Sequence, residues 1–375
     1  MTNKAPIKIL DGGLGTTLET KYGVQFSTST PLWSTHLLVT DEETLLNCHK
    51  DFVQAGADII STATYQVSID GFAATKTQDL PDGIPSPSIP PYLTSAVSLA
   101  FQAISTTAST AGSSSQISLA LGPLGATILP SSAEYSGLYP PKYASISSIQ
   151  EWHHERLQLF ARIPAVLLSQ ISYLAFETIP RLDEIKAIRR VMKKMHRQHS
   201  PMLSQTDGSL KKFWICVNFS RDGFTLPDGS TVEEVVNAML SSDRAEEEEE
   251  EEIPWGIGIN CTKVDKLPRL VTEFEQAVRK LVDREDETKK LKEWPALVLY
   301  PDGTRGEVYN VETKKWEVPE EGESEKKERT PWEVKVAEVV RETRERGQWR
   351  EILVGGCCRC LPEDIARLRG VLFES

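Results

Sequence analysis

The chain has 375 residues, 39% of them hydrophobic, with 42 basic against 54 acidic side chains and a net charge of −12. A chain of this length buries about three quarters of its extended surface on folding, so a core forms without disulfide staples or a structural metal. The acidic balance argues against a nucleic-acid partner, which needs a concentrated basic surface, and the sequence offers no uncharged apolar run of about 18 residues to span a membrane.

Taken in chain order, eight short apolar runs read as strands: 7–10, 57–60, 117–121, 173–176, 214–217, 255–259, 297–300 and 351–354. They recur roughly 40 to 60 residues apart, the spacing of parallel strands joined by crossover helices. Helical periodicity falls between them at 42–55, 147–163, 182–196, 264–284, 331–346 and 362–371. The first of these helices opens on the cap-like Thr40 and closes on Gly56. Eight strands with intervening helices predict a (β/α)8 barrel, although an open doubly wound sheet has the same spacing. Residues 105–115 read as surplus surface chain. Loops prone to disorder are expected at about 78–92, 197–211, 243–253 and 320–330, the third holding the unbroken run Glu246 to Glu252. The basic stretch Lys186 to Lys194 reads as a solvated helix face, and His153-His154 as solvent-facing, since adjacent helix positions point about 100 degrees apart. The amino terminus lacks an apolar signal-peptide core, from which a cytoplasmic protein is expected.

The ends of the strands carry the chemistry. They lead into Asp11-Gly12-Gly13-Leu14-Gly15, Thr64-Tyr65-Gln66, Glu177-Thr178, Asn260-Cys261 and Gly355-Gly356-Cys357-Cys358. In a barrel these ends converge on one mouth. The glycine motif lacks the order of a dinucleotide or Walker loop and reads as a tight turn that lets a small substrate approach the backbone.

Six cysteines are too few and too uneven for a disulfide scaffold. Cys48 and Cys216 read as buried thiols. Cys261, Cys357 and Cys358 admit three readings: a zinc site with its fourth corner open, unreactive buried thiols, or a vicinal disulfide. Cys360 would be spare. An all-thiolate site suits zinc and a sulfur substrate, because it holds an incoming thiol as a thiolate near neutral pH.

Together these segments resemble the homocysteine S-methyltransferase family, in family order through nearly the whole chain. The resemblance rests on Ile9 to Thr16, Ala55 to Ile60, Thr64 to Gln66, Phe176 to Pro180, Gly258 to Cys261 and Gly355 to Arg359. It implies a single homocysteine-binding barrel over 1–375 and one Zn2+ held by Cys261, Cys357 and Cys358. It also implies an L-homocysteine site built with Asp11, Gly12, Tyr65, Glu177 and Asn260. The stretch from Tyr300 to Trp316 resembles the branch that takes its methyl group from a sulfonium, S-methylmethionine or S-adenosylmethionine, and the polar inserts resemble fungal members. Betaine as donor, or a catalytically silent zinc-binding scaffold, are the alternatives. Oligomeric state is left open.

Overall fold

The computed structural model describes residues 4–27, 29–111, 115–129, 132–205, 207–220, 222–242, 251–286, 290–304, 308–310, 315–317 and 330–374. Eight strands pair in parallel: β1 Ile7–Ile9, β2 Ile59–Ser61, β3 Gln116–Leu121, β4 Ile171–Ile179, β5 Lys212–Val217, β6 Gly256–Lys263, β7 Ala296–Asp302 and β8 Ile352–Val354. The first and last strands meet, with Ile7 opposite Ile352. The ring closes between β1 and β2 through the bridge of Leu10 to Ile59, where Asp58 N donates to Ile9 O at 2.7 Å. This pairing makes the sheet a (β/α)8 barrel, as expected.

Side chains alternate between two cores, because successive strand residues point to opposite faces. Leu10, Ile59, Trp214, Cys216, Val298 and Leu353 belong to the filled barrel interior, whereas Ile9, Ile60, Ile215, Leu297 and Val354 pack outward against the helices. Cys48 and Cys216 are buried free thiols.

The six expected helices form as Glu42–Gln54, Ile146–Phe160, Leu182–Arg197, Leu267–Val282, Trp332–Arg346 and Pro362–Phe373. The first is capped by Asp41, which accepts from Thr44 N at 3.0 Å, rather than by Thr40. Four more helices of six residues or longer, Leu14–Tyr22, Ile69–Ala74, Pro90–Ala111 and Val232–Leu240, add to the outer layer. The third runs into the Ser/Thr/Ala stretch at 105–111 that reads as loop in the sequence. Residues 78–92 are tied down by Ile84 and Ile89, both fully buried, and 197–211 by Met202 and Leu203. Most of the loops at 243–253 and 320–330 lies outside the described residues.

The end of the glutamate run departs from expectation. Glu251 and Glu252 lie against the helix Leu182–Arg197, where Arg189, Arg190 and Lys193 of the basic stretch are their partners rather than part of a solvated face. Arg189, 2% exposed, holds Glu251 at 2.8 Å and donates to the carbonyls of Ala238 and Glu252; His196 and Lys193 meet the Glu252 carboxylate at 3.0 and 3.5 Å. Among the described residues, no helix is long and apolar enough to cross a membrane.

Candidate active site

Two strands are bent at the barrel mouth. The pairing of β4 with β5 shifts register between Phe176 and Ile179, and that of β6 with β7 shifts between Asn260 and Lys263. Such irregularities re-aim side chains. Inside them, Thr178 and Cys261 adopt left-handed backbones with φ of 62° and 45°. That conformation disfavours non-glycine residues and is held only where the surroundings over-determine it. The surroundings here are the carboxamide of Asn260, which accepts from Thr178 N at 2.8 Å and donates to Thr178 Oγ1 at 2.7 Å. Asn218 Nδ2 adds a bond to Thr178 O at 3.0 Å.

Opposite, the loops after β1 and β8 zip together. Gly13 N donates to Cys360 O at 2.9 Å and Gly356 N to Asp11 O at 3.0 Å, while Arg359 N donates to Thr16 Oγ1 at 2.9 Å. A Cβ on Gly12 would lie 2.4 Å from Cys360 O, and one on Gly13 would lie 2.5 Å from Cys357 O. The glycine motif is therefore spent on letting the cysteine loop approach, as well as on opening the cavity. This contact seats Asp11 beside the thiols.

The sulfurs of Cys261, Cys357 and Cys358 all lie within 4.8 Å of one another. Cys261 and Cys357 stand at disulfide distance, with Cα atoms 5.5 Å apart. A bridge of the vicinal pair Cys357–Cys358 is not what forms; Cys358 is a free thiol. The bridged pair and a metal-holding pair are alternative states of the same two sulfurs, because the thiolate is the ligand. A tetrahedral cation with sulfur bonds of about 2.3 Å spaces its sulfurs roughly 3.8 Å apart, within the span of this triad. The donor set fits one soft cation once reduced. Hydrogen bonds aim the sulfurs: Thr178 Oγ1 and Asn260 Nδ2 reach Cys261 Sγ at 3.7 and 3.4 Å, and the Tyr135 hydroxyl lies 3.9 Å from Cys358 Sγ. Cys360 is buried, with its thiol directed at Pro301 O, outside the triad.

A cavity opens over the sulfurs, walled by Trp33, Tyr65, Tyr135, Trp214 and Tyr300. Three carboxyls face it. Asp11 accepts from Ser61 N at 2.6 Å and Ser61 Oγ at 3.1 Å, yet burial pushes its carboxyl up to about 7. Glu177 is pushed up to about 8, by burial first and then by the Asp11 charge. Burial alone takes Glu134 up to about 7. A cation seated among them would return all three to their anionic form.

Of the residues expected to bind substrate, Asp11, Gly12, Tyr65 and Glu177 line the cavity. Asn260 does not: it is fully buried, and its amide serves Thr178 and Cys261 behind the wall. His153 is also buried rather than solvent-facing, with Nε2 at 2.9 Å from Glu184. Glu184 in turn accepts from Leu124 N at 2.7 Å and from the Tyr139 hydroxyl, and so ties down both ends of the loop that carries Glu134 and Tyr135. Arg156, 2% exposed, donates to the carbonyls of Gly122, Thr64 and Tyr65 at 2.6, 3.1 and 2.7 Å, which fixes the backbone under Tyr65. Glu134, Tyr135 and Arg156 were not singled out from the sequence, and Thr178 was named only as part of the motif that carries Glu177. The one available signal was polar residues within otherwise apolar helix faces, and that signal covers Arg156 alone.

The sequence profile of the family described as Homocysteine S-methyltransferase matches residues 8–372. Homocysteine S-methyltransferase 3 of Arabidopsis thaliana is 28% identical, covering 98% of this chain and 90% of its own length. Homocysteine S-methyltransferase YbgG of Bacillus subtilis is 28% identical, with 97% and 93% covered. In three dimensions, the metallated form of the homocysteine methyltransferase MmuM from Escherichia coli superposes with a TM-score of 0.64 at 23% identity, covering 98% of this chain and 97% of that one. It shares the fold.

Proposed function

The chain belongs to the homocysteine S-methyltransferase family, and on that premise we propose that it moves a methyl group from a sulfonium donor, S-methylmethionine or S-adenosylmethionine, to the thiol of L-homocysteine, giving methionine. The observation that carries the reading is the convergence of Cys261, Cys357 and Cys358, from the ends of β6 and β8, on one point at the mouth of the barrel. These three residues would hold a zinc ion, which when bound supplies a positive charge that keeps the acceptor thiol ionised at neutral pH. A reducing cytoplasm would keep the pair Cys261 and Cys357 open for that role.

The remaining work falls to the chain's own groups. Asp11 and Glu177 lie close enough for the charge of one to raise the other, so an ammonium group between them relieves their repulsion and supplies their missing partner. Gly12 keeps the adjoining backbone within reach of the amino acid. The aromatic wall excludes water and presents π faces to a sulfonium, each contact adding about 0.5–2 kcal/mol. The methyl transfer is an in-line displacement in which the acceptor sulfur attacks and a neutral thioether leaves. No general acid is required, and the alignment of the two sulfurs on the methyl carbon supplies a large share of the rate. A cavity lined by three carboxyls and three cysteines favours a cationic donor. One barrel domain over 1–375 houses the whole site.

The test is metal analysis of the reduced protein beside turnover with S-methylmethionine, S-adenosylmethionine and betaine. About one zinc per chain, turnover with a sulfonium, and loss of both in Cys261→Ala and Cys358→Ala are expected. Full turnover after complete removal of metal overturns the zinc assignment, and a strong preference for betaine overturns the donor.

A further inference from the structure

Glu134 lies on the segment after β3 and faces the same cavity, yet its surroundings differ from those of the other two carboxyls. The residue is 9% exposed and its Oε2 is buried without a hydrogen-bond partner. A carboxylate shut away from water needs a cation or donors to compensate it. The backbone that carries Glu134 is tied on both sides. Its own carbonyl accepts from Asn218 Nδ2 at 3.1 Å, Ala133 N donates to Gly125 O at 2.8 Å, and Gly137 N donates to Ala133 O at 2.8 Å.

The electrostatic neighbourhoods separate as well. Asp11 acts on Glu177, whereas Glu134 acts on Tyr135 and Cys358; Tyr65, between them, feels both glutamates, Glu134 the more strongly. The cavity therefore has two anionic poles. Homocysteine brings one cation, its ammonium, and the reading given above assigns that group to Asp11 and Glu177. The second pole has no occupant in the acceptor.

We propose that the Glu134 carboxylate, which lines the cavity together with Tyr65 and Tyr135, is the counter-ion for the sulfonium centre of the methyl donor and selects the charged donor over its neutral thioether product. The inference rests on the sulfonium reading of the preceding section and deepens it. In the transfer, the bond from the donor sulfur to the methyl carbon breaks and a bond from that carbon to the acceptor sulfur forms. The departing sulfur keeps the electron pair and loses its charge. Glu134 thus attracts the donor before transfer and has no charge left to hold at that sulfur afterwards.

S-methylmethionine and methionine differ by one methyl group and one charge, which makes them the decisive pair of probes. In Glu134→Gln, the KM for S-methylmethionine should rise at least about tenfold with a smaller change in kcat, because the lost contact is made in the ground state. The constant for methionine competing with the donor should change less than about twofold, and so should the KM for homocysteine. Glu134→Asp, which keeps the charge, should recover part of the loss, and zinc content should match that of the unsubstituted protein in both variants. An unchanged KM for S-methylmethionine in Glu134→Gln overturns the proposal. So does a rise shared equally by methionine, since that would place the donor's ammonium at Glu134. Turnover of S-methylmethionine by the unsubstituted protein, measured first, tests the sulfonium reading separately from the role of Glu134.

Discussion

The Thr178 hydroxyl, at the end of β4, donates to the sulfur of Cys261, at the end of β6, across 3.7 Å, and both residues hold left-handed backbones. Between these strands lies β5, so the contact spans the mouth rather than following the sheet. Asn260 ties the two together through Thr178 N, Thr178 Oγ1 and Cys261 Sγ. The strain at each position is sustained by the hydrogen bonds of the other, and its consequence is a thiol turned into the cavity.

Removing the tie should loosen metal binding without removing a ligand. Asn260→Ala and Thr178→Ala are expected to bind zinc about 10–100-fold more weakly while reaching the same stoichiometry at saturation, as outer-shell groups do. Competition with a chromophoric chelator measures this. Unchanged affinity in both variants would show that Cys261 holds its conformation unaided.

Cys360 offers the opposite case. Its thiol is buried and points at Pro301 O, away from the three converging sulfurs. Cys360→Ala should keep the full complement of zinc and lose about 1 kcal/mol of stability from the small cavity it leaves. Cys358→Ala should lose metal. A matching loss in Cys360→Ala would enlarge the ligand set.

The contrast between these cysteines was partly legible from the chain, because a ligand at a strand end obeys a position rule. All eight strands were visible for a similar reason: parallel strands are buried on both faces and read as apolar runs. The placement of Asp11, Tyr65, Glu177 and the three cysteines followed from the ends of those runs. Glu134 and Tyr135 did not, since they lie on an irregular segment whose path is set by distant partners such as Glu184 and Asn218. His153 and Arg156 were hidden differently. Their buried positions depend on Glu184 and on the carbonyls of Thr64, Tyr65 and Gly122, none of them near in sequence. The helix Pro90–Ala111 escaped because a Ser/Thr/Ala composition near its end mimics a loop.

Arg156 should prove expensive to remove. The residue is 2% exposed, and its guanidinium satisfies three backbone carbonyls beneath Tyr65. Arg156→Met is expected to cost about 3–5 kcal/mol in urea unfolding, on the scale of other buried charges stripped of partners. Turnover should fall as well, because Tyr65 loses its fixed backbone. A loss below about 1 kcal/mol would mean that the loops after β2 and β3 hold themselves.

The glutamate run should divide into a dispensable part and an anchored part. Glu251 and Glu252 engage Arg189, Arg190, Lys193 and His196, with Arg189 nearly inaccessible. Deleting residues 246–250 should leave both stability and methyl transfer nearly intact. Extending the deletion through Glu252 should cost about 3 kcal/mol, because a buried guanidinium then loses its carboxylate. Equal stability of the two deletions, measured by urea unfolding, would refute the anchor.

Acid sensitivity should trace in part to His49. This side chain sits on the helix Glu42–Gln54, is 1% exposed, and has neither ring nitrogen hydrogen-bonded. Burial lowers its pKa to about 4, against about 6.5 in an unfolded chain. Between those values the unfolded state binds a proton that the folded state refuses, so folding stability falls as pH drops from about 6.5 toward 4. At 1.36 kcal/mol per pH unit, the contribution at pH 5 is about 2 kcal/mol. His49→Leu removes the titrating group while keeping an apolar side chain in the site. The unsubstituted protein should therefore lose about 2 kcal/mol more than His49→Leu between pH 7 and pH 5 in urea unfolding. Parallel losses in the two proteins would mean that His49 takes up its proton in the folded state as readily as in the unfolded chain.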